Sequence, residues 1–138
     1  MAKILFLNPV IRQNDKPRHI PYGMALLAAI ADKAGHQVQF YDANAWRLGD
    51  DTLCSVLSSD SWDIVAMGGI STTYGWIKQT LQYAKKHAPK SLLVVGGGVL
   101  TSKPQDLMRL LPEIDIGVVG EGVVTLTEIL QKIDENKS

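Results

Sequence analysis

The feature that most restricts the fold of this chain is an alternation of short apolar runs with segments of helical spacing. The five apolar runs cover residues 3–8, 37–42, 63–69, 91–97 and 115–120. Four of them are rich in β-branched or aromatic residues. Their near-continuous apolarity predicts strands that are buried on both faces of a sheet.

Helical patterns fill the gaps between these runs. They cover residues 21–34, 51–59, 74–88, about 104–111, and a last segment whose apolar stripe is Leu126, Ile129, Leu130 and Ile133. Pro21 and Gly35 are typical start and stop signals for the first helix. Ser102 is expected to cap the fourth helix, and Thr125 with Glu128 fits a capping box for the last.

Strands that alternate with helices predict an α/β fold in which a parallel sheet is covered on both faces. Right-handed crossovers leave few topologies. We expect a doubly wound, flavodoxin-like sheet of five strands in the order 2-1-3-4-5. The length of 138 residues suits one domain, residues 1–138.

The composition excludes several classes of partner. The chain has 14 basic and 14 acidic residues and no basic block, which argues against a nucleic-acid partner. The apolar run at the N-terminus is too short for a signal peptide or a membrane span. Cys54 is the only cysteine, which predicts a reducing, cytoplasmic setting and excludes an iron–sulfur cluster with three cysteine ligands in this chain.

The loops that follow the strands indicate where a ligand would bind, because ligands of such sheets lie beyond the carboxyl ends of the strands. The loop after the first strand, residues 8–23, is longer than the usual two to six or so residues. The loops at 68–76, 96–102 and 120–125 combine glycines with hydroxyl side chains. A glycine in an ordered segment costs about 0.5–1 kcal/mol relative to alanine. Three such loops at one edge therefore favour a ligand over turn chemistry alone.

The common nucleotide and phosphate sites of this fold do not match. Asn8, Gly68 and Gly120 stand where a receiver domain needs acidic residues, an aspartate and a lysine. The hydroxyl-rich phosphate loop of flavodoxins and the G-x-G-x-x-G fingerprint should both follow the first strand, and neither does. A P-loop lysine is also missing. The class of ligand that is not excluded is a large planar molecule that lies over the strand ends.

Four segments carry a resemblance to a known family. They are "NP" with "IPYGMALLAAIADKAGHQVQFYD", then "DIVAMGGISTTYGW", "VVGGGVLTSKP" and "IDIGVVGEGVVTLTEIL". In this order they resemble the cobalamin-binding domain at the N-terminus of B12-dependent radical S-adenosylmethionine enzymes. The resemblance spans nearly the whole chain.

This resemblance implies that cobalamin binds with its corrin over the strand ends and its nucleotide tail in a cleft beside strands 1, 3 and 4. A tail held there implies the base-off form of the cofactor. The glycines would leave room for the tail, and the hydroxyls of residues 71–73 would hydrogen-bond it. The cofactor-binding residues implied in this way are Asn8, Pro9, His19, Pro21, Tyr22, Gly23, Gly68, Gly69, Ser71, Thr72, Thr73, Gly97, Gly98, Gly120, Glu121 and Gly122.

The chain departs from the wider B12 family at the lower face of cobalt. The Asp-x-His-x-x-Gly motif is missing, and Asp15, His19 and Gly23 have the wrong spacing. His19 is a candidate cobalt ligand, but we favour a solvated or helix-capping loop histidine. Ser71 is a possible substitute for the serine that often stands at the position of Gly68.

Three side chains receive local interpretations. His36 is interpreted as a turn residue and Cys54 as a small core residue. Glu121 is expected to orient the loop after strand 5 by accepting backbone N–H bonds, with contact to a partner domain as the alternative.

The function expected from these observations is that of a cobalamin-binding module without catalytic residues or turnover of its own. The resemblance implies that an iron–sulfur cluster and S-adenosylmethionine belong to a barrel domain outside this chain, in cis or in trans. The alternative is a cofactor-free interaction module of the same fold that docks a partner domain. No edge loop has a recognisable nucleophile–base pair, so an independent small enzyme lacks support.

Overall fold

The centre of the molecule is a sheet of five parallel strands in the order β2-β1-β3-β4-β5, which confirms the expected topology. The computed structural model describes residues 1–14, 21–101 and 103–137. The strands are β1 Lys3–Asn8, β2 Gln37–Asp42, β3 Ile64–Gly68, β4 Leu92–Gly96 and β5 Ile116–Gly117. The helices are α1 Tyr22–Lys33, α2 Ala43–Trp46, α3 Asp50–Ser58, α4 Tyr74–His87, α5 Gly98–Thr101, α6 Pro104–Leu110 and α7 Val123–Lys137.

Alternation along the strands divides the core between the two faces of the sheet. Leu5 and Leu7 of β1 belong to a cluster with α3, α4, α5 and α6. Ile4 and Phe6 belong to a second cluster with α1 and α7. All four side chains are buried. Burial on both faces explains why these strands read as continuous apolar runs.

Three side chains hold the sheet together at the starts of its strands. The Asp63 carboxylate accepts the backbone N–H of Lys3 at 2.8 Å, and the Asp63 N–H donates back to the carbonyl of Lys3. Asp115 makes the same reciprocal pair with Leu93. Before β2, the Nδ1 atom of His36 accepts the N–H of Ala2 at 3.0 Å. The N–H of His36 also closes the turn after α1 by donating to the carbonyl of Ala31 at 3.1 Å, so this expected turn residue is in addition a buried part of the sheet's edge.

Several element boundaries differ from the sequence-based expectations. Strand β5 covers two residues of the expected six, because it is an edge strand that pairs only with β4. Helix α7 begins before Thr125, since the Gly122 carbonyl already accepts the N–H of Leu126, so the capping box was wrong. Helix α6 follows Lys103, and the expected cap Ser102 lies outside the described residues.

None of the helices in the described ranges has both the length and the apolarity required to cross a bilayer.

Candidate functional site

The main cavity opens at the carboxyl ends of the strands, between α1 and α7. Its volume is about 540 Å³. Residues at or just beyond the ends of β1, β3, β4 and β5 form its floor, and the first two turns of α1 and of α7 form its walls. It therefore lies on the edge where parallel α/β sheets bind their ligands.

The cavity is lined mainly by apolar side chains. Phe6, Leu27 and Leu126 represent its strand, α1 and α7 walls. Among the described residues that line it, Glu121 is the one with a side-chain charge at neutral pH. Tyr22, Leu26 and Ile70 also line it and are 78%, 53% and 51% exposed. Such a cavity suits a ligand with a large apolar body, because burial of that body gains free energy while few polar groups need partners.

The floor of the cavity is polypeptide backbone, which the glycines at the ends of β3 and β4 leave uncovered. A Cβ atom at Gly68 would lie 2.8 Å from the carbonyl oxygen of Gly96. A Cβ atom at Gly69 would overlap the Thr73 hydroxyl and lie 3.1 Å from Cγ of Pro9. These two glycines are therefore required by the packing of the loops themselves.

Gly97 and Gly98 differ in what their missing side chains would meet. Gly97 has a φ of +84°, which disfavours any residue with a Cβ atom, and such an atom would lie 3.0 Å from the backbone of Gly69. At Gly98 the nearest atom to an added Cβ would be the carbonyl oxygen of Gly69 at 3.8 Å. Of this pair, Gly98 is the position where the fold itself has room for a side chain.

The loops after β3 and β4 are joined by their backbones. The N–H of Val99 donates to the carbonyl of Gly69 at 2.7 Å, and the carbonyl of Gly97 accepts the N–H of Thr101. The residues after Gly97 form the short helix α5, where the sequence indicated only a loop. This close joining fixes the floor without a contribution from a ligand.

The hydroxyls after β3 have a mainly local role in the described structure. Thr73 is 2% exposed, and its hydroxyl donates to the carbonyl of Ile70 at 2.7 Å. Thr72 is exposed, and neither threonine lines the cavity. The side chain of Ser71 lies outside the described part of the structure. Hydrogen bonds from Thr72 and Thr73 to a ligand in this cavity would require the loop to rearrange.

Most of the residues predicted from the sequence are brought together around the cavity. Pro9 is close to Gly69 but does not line the cavity. His19 lies outside the described residues, together with Asp15. Their role in binding stays a prediction. The predicted residues that line the cavity are Asn8, Pro21, Tyr22, Gly23, Gly68, Gly69, Gly97, Gly98, Gly120, Glu121 and Gly122.

Glu121 does not orient its loop in the expected way. It is exposed, and no hydrogen bond of its carboxylate is found within the described ranges. The N–H of Gly120, which has a φ of +77°, instead donates to the hydroxyl of Thr101 at 3.3 Å. The loop after β5 is thus tied to α5 by a side chain that the sequence analysis did not single out.

The sequence analysis did not predict the apolar walls of the cavity. Met24, Leu27, Val123 and Ile129 line the cavity, and each stands at a helical position that would equally suit a packed core. The signal that distinguishes a cavity wall from a packed core is the glycine floor opposite these side chains. A helix stripe that faces backbone instead of side chains has nothing large to pack against.

A second cavity of about 330 Å³ lies on the other face of the sheet. Tyr41, Arg47, Asp50 and Trp76 are among its lining residues. Burial, followed by the charge of Asp50, raises the pKa of Tyr41 above its ordinary value. Within the described residues, the Tyr41 hydroxyl has no hydrogen-bond partner, and no cluster of three or more metal-ligating side chains is found.

Comparison with known families decides the family of this chain. Residues 9–130 match the family model described as the B12 binding domain. The chain belongs to the B12-binding domain family. The match includes all residues that line the main cavity except Phe6 and Asn8.

Curated relatives of this B12-binding domain are much longer proteins. The domain is 25% identical to cytidylyl-2-hydroxyethylphosphonate methyltransferase of Streptomyces wedmorensis, over 99% of this chain and 29% of that protein. It is 23% identical to anaerobic magnesium-protoporphyrin IX monomethyl ester cyclase of a Synechocystis strain, over 97% of this chain and 28% of that protein. The domain thus spans under a third of the length of these relatives.

Solved structures share the fold of the domain. It matches the radical S-adenosylmethionine methyltransferase TsrM from Kitasatospora setae with a TM-score of 0.85 and 21% identity, over 99% of this chain and 26% of that chain. It matches the cobalamin-dependent S-adenosylmethionine radical enzyme OxsB, solved with aqua-cobalamin and S-adenosylmethionine, with a TM-score of 0.81 and 15% identity. This second match covers 98% of the domain and 19% of OxsB. The domain therefore resembles the B12-binding domain of cobalamin-dependent radical enzymes.

Proposed function

We propose that this domain binds cobalamin at the carboxyl edge of its sheet, in the base-off form, as one module of a larger radical S-adenosylmethionine enzyme. The observation that carries the proposal is the apolar cavity of about 540 Å³ above a glycine floor, in a chain of the B12-binding domain family. Cobalamin, when bound, supplies a cobalt centre that carries a methyl group or takes part in radical chemistry.

The residues present fit the nucleotide tail of cobalamin. The tail ends in a flat, largely apolar dimethylbenzimidazole base, and cavities of about 300–1,000 Å³ hold small ligands of such size. The corrin ring would lie across the mouth of the cavity. Because Glu121 carries a negative charge, the lining favours the neutral base of the tail over its phosphate.

The rim and the floor would have different tasks. The exposed rim residues Tyr22, Leu26 and Ile70 provide apolar surface for the edge of the corrin. The floor at Gly98 leaves space that a side chain would otherwise fill. The apolar walls exclude water from around the base, which adds to its binding free energy.

The base-off form follows from the same placement. A base that lies inside the cavity is turned away from cobalt and does not coordinate it. The chain lacks the motif whose histidine replaces the base, so we propose a lower cobalt face without a protein nitrogen ligand. His19 is the residue whose ligation would contradict this part of the proposal.

The reaction of the complete enzyme would reside elsewhere in the protein. The relatives are at least three times longer than the domain, and one TsrM structure contains cobalamin together with a [4Fe-4S] cluster. We propose that a barrel domain, in cis or in trans, supplies the cluster and S-adenosylmethionine. The B12-binding domain would then hold and orient the cofactor.

Gel filtration with hydroxocobalamin tests the binding. The proposal predicts that corrin absorbance elutes with the domain at micromolar concentrations. If neither the domain nor the full-length protein retains corrin, the alternative of a cofactor-free interaction module replaces it.

Electron paramagnetic resonance of bound cob(II)alamin tests the base-off form. The expected spectrum has no splitting from an axial nitrogen. A splitting that disappears in His19→Ala would assign His19 as the lower ligand. A splitting that persists in His19→Ala would show that the base of the tail is still attached to cobalt, and the tail would then not occupy the cavity.

A further inference from the structure

Arg47 stands out because of its backbone conformation. In the part of the chain that the structure describes, it is the one non-glycine residue with a positive φ, with φ 51° and ψ 37°. It follows helix α2 directly and ends it. A residue with a Cβ atom adopts this left-handed conformation at a cost, and it persists only where surrounding contacts hold it.

The contacts of the Arg47 guanidinium explain why the conformation is held. Nη1 donates to the carbonyl of Gln13 at 3.0 Å, and Nη2 donates to the carbonyl of Arg12 at 2.7 Å. Nε donates to the carbonyl of Asn44 at 2.6 Å. The planar fork of an arginine can reach several carbonyls at once, which a lysine ammonium cannot do with the same geometry. Arg47 thus joins α2 to the segment after β1.

Two other side chains of the same region hold this segment and the residue that precedes it. The Oδ1 atom of Asn44 accepts the N–H of Ile11 at 3.1 Å. The Oδ1 atom of Asp42 accepts the side-chain amide of Asn8 at 2.9 Å. We call residues 9–14, which follow strand β1, the β1 segment.

The β1 segment starts directly after a residue of the main cavity and continues to the second cavity, which Val10 and Gln13 line together with Arg47. Asn8, which directly precedes it, is 6% exposed and lines the main cavity, and Cγ of Pro9 lies 3.1 Å from where a Cβ atom of Gly69 would stand. Residues 9–14 form neither a helix nor a strand. A segment without regular structure loses conformational entropy when it is ordered by a ligand, unless other contacts order it beforehand.

We propose that Arg47 is a positioning residue for cofactor binding, which orders the β1 segment before the cofactor arrives. The inference rests on the proposed function. Arg47 itself does not line the main cavity, so its effect passes through the carbonyls of Arg12 and Gln13. Loss of the guanidinium loosens the β1 segment and weakens cobalamin binding, because binding then includes the cost of ordering it.

The test compares Arg47→Ala, Arg47→Gly and Arg47→Lys with wild-type protein. Amide hydrogen exchange of the β1 segment is measured without cofactor, and cobalamin affinity is measured by titration. We expect faster exchange in the β1 segment and about tenfold weaker binding in Arg47→Ala and Arg47→Gly, with a smaller change in Arg47→Lys. Arg109→Ala is the matched control, since Arg109 is an exposed arginine of α6 that lines neither cavity.

Arg47→Gly separates positioning from simple stability. Glycine accepts the left-handed conformation without cost, so the melting temperature of this variant is expected to exceed that of Arg47→Ala. Binding and exchange are nevertheless expected to stay impaired. Wild-type exchange in the β1 segment, or wild-type affinity in Arg47→Gly, would overturn the inference. If wild-type protein binds no cobalamin, the proposed function fails, while the exchange data still decide whether Arg47 orders the segment.

Discussion

The backbone of Gly97 approaches that of Gly69 so closely that a Cβ atom at Gly97 would lie 3.0 Å from both the nitrogen and the oxygen of Gly69. At the next residue, Gly98, an added Cβ atom would lie 3.8 Å from its nearest neighbour, the carbonyl oxygen of Gly69. The glycines of this run therefore serve two purposes. Gly97 allows the loops after β3 and β4 to pack, whereas Gly98 leaves space above them.

The first prediction concerns stability at this pair. Gly97→Ala should lower the free energy of unfolding by about 1–3 kcal/mol, because alanine must adopt a positive φ against the backbone of Gly69. Gly98→Ala should change it by less than about 0.5 kcal/mol. Urea denaturation of the two variants measures the difference, and equal midpoints would contradict the account of the floor.

The second prediction concerns ligand binding at Gly98. Gly98→Val should leave the protein folded and weaken cobalamin binding by at least about tenfold, since a branched side chain would project into the space for the tail. Gly75→Val is the matched control, because Gly75 also stands in the first turn of a helix, has open space around its Cβ position and does not line the cavity. Equal cobalamin affinity of the two variants would mean that the tail does not pass Gly98.

The third prediction concerns the starts of the strands. Asp63→Ala removes the acceptor of the Lys3 N–H and should lower the free energy of unfolding by about 1–3 kcal/mol. Asp63→Asn keeps an oxygen acceptor without the charge and should cost less. Glu128→Ala, an exposed position of α7, is the control for loss of a carboxylate. An Asp63→Ala variant as stable as wild type would show that this pairing contributes nothing.

The fourth prediction concerns the thiol of Cys54. Burial, followed by the charges of Asp50 and Asp51, raises its pKa above the ordinary value. The reactive thiolate is therefore scarcer than in a free cysteine at the same pH. Alkylation by iodoacetamide at pH 8 should be slower in folded protein than in urea, and Asp50→Asn with Asp51→Asn should accelerate it. Folded and unfolded protein reacting at the same rate would contradict this assignment.

The architecture could be predicted because its signals are local. Apolar runs such as 3–8 and 37–42 match β1 and β2 to the residue. The alternation of strands and helices then leaves few topologies, and the expected order was confirmed. The shortness of β5 could not be predicted, since its length depends on how many of its residues pair with β4.

The location of the candidate site could also be predicted from the sequence, but the roles of its residues could not. Glycine clusters after three strands marked the edge where the cavity lies. The sequence does not distinguish Gly97 from Gly98, because the difference is a backbone angle and a contact with a loop 28 residues away. The same limit applies to His36, whose partner is Ala2, and to Arg47, whose partners are residues 12 and 13, because these partners are distant along the chain.

The measurement that tests the central claim most directly compares the affinities of the protein for cobalamin and for cobinamide, the same corrin without the nucleotide tail. A tail base that buries about 100–150 Å² of apolar surface in the cavity contributes about 2.5–4 kcal/mol. Cobalamin should therefore bind at least about 50-fold more tightly than cobinamide in titrations followed by corrin absorbance. Equal affinities for the two corrinoids would contradict the claim that the cavity between α1 and α7 holds the tail of the cofactor.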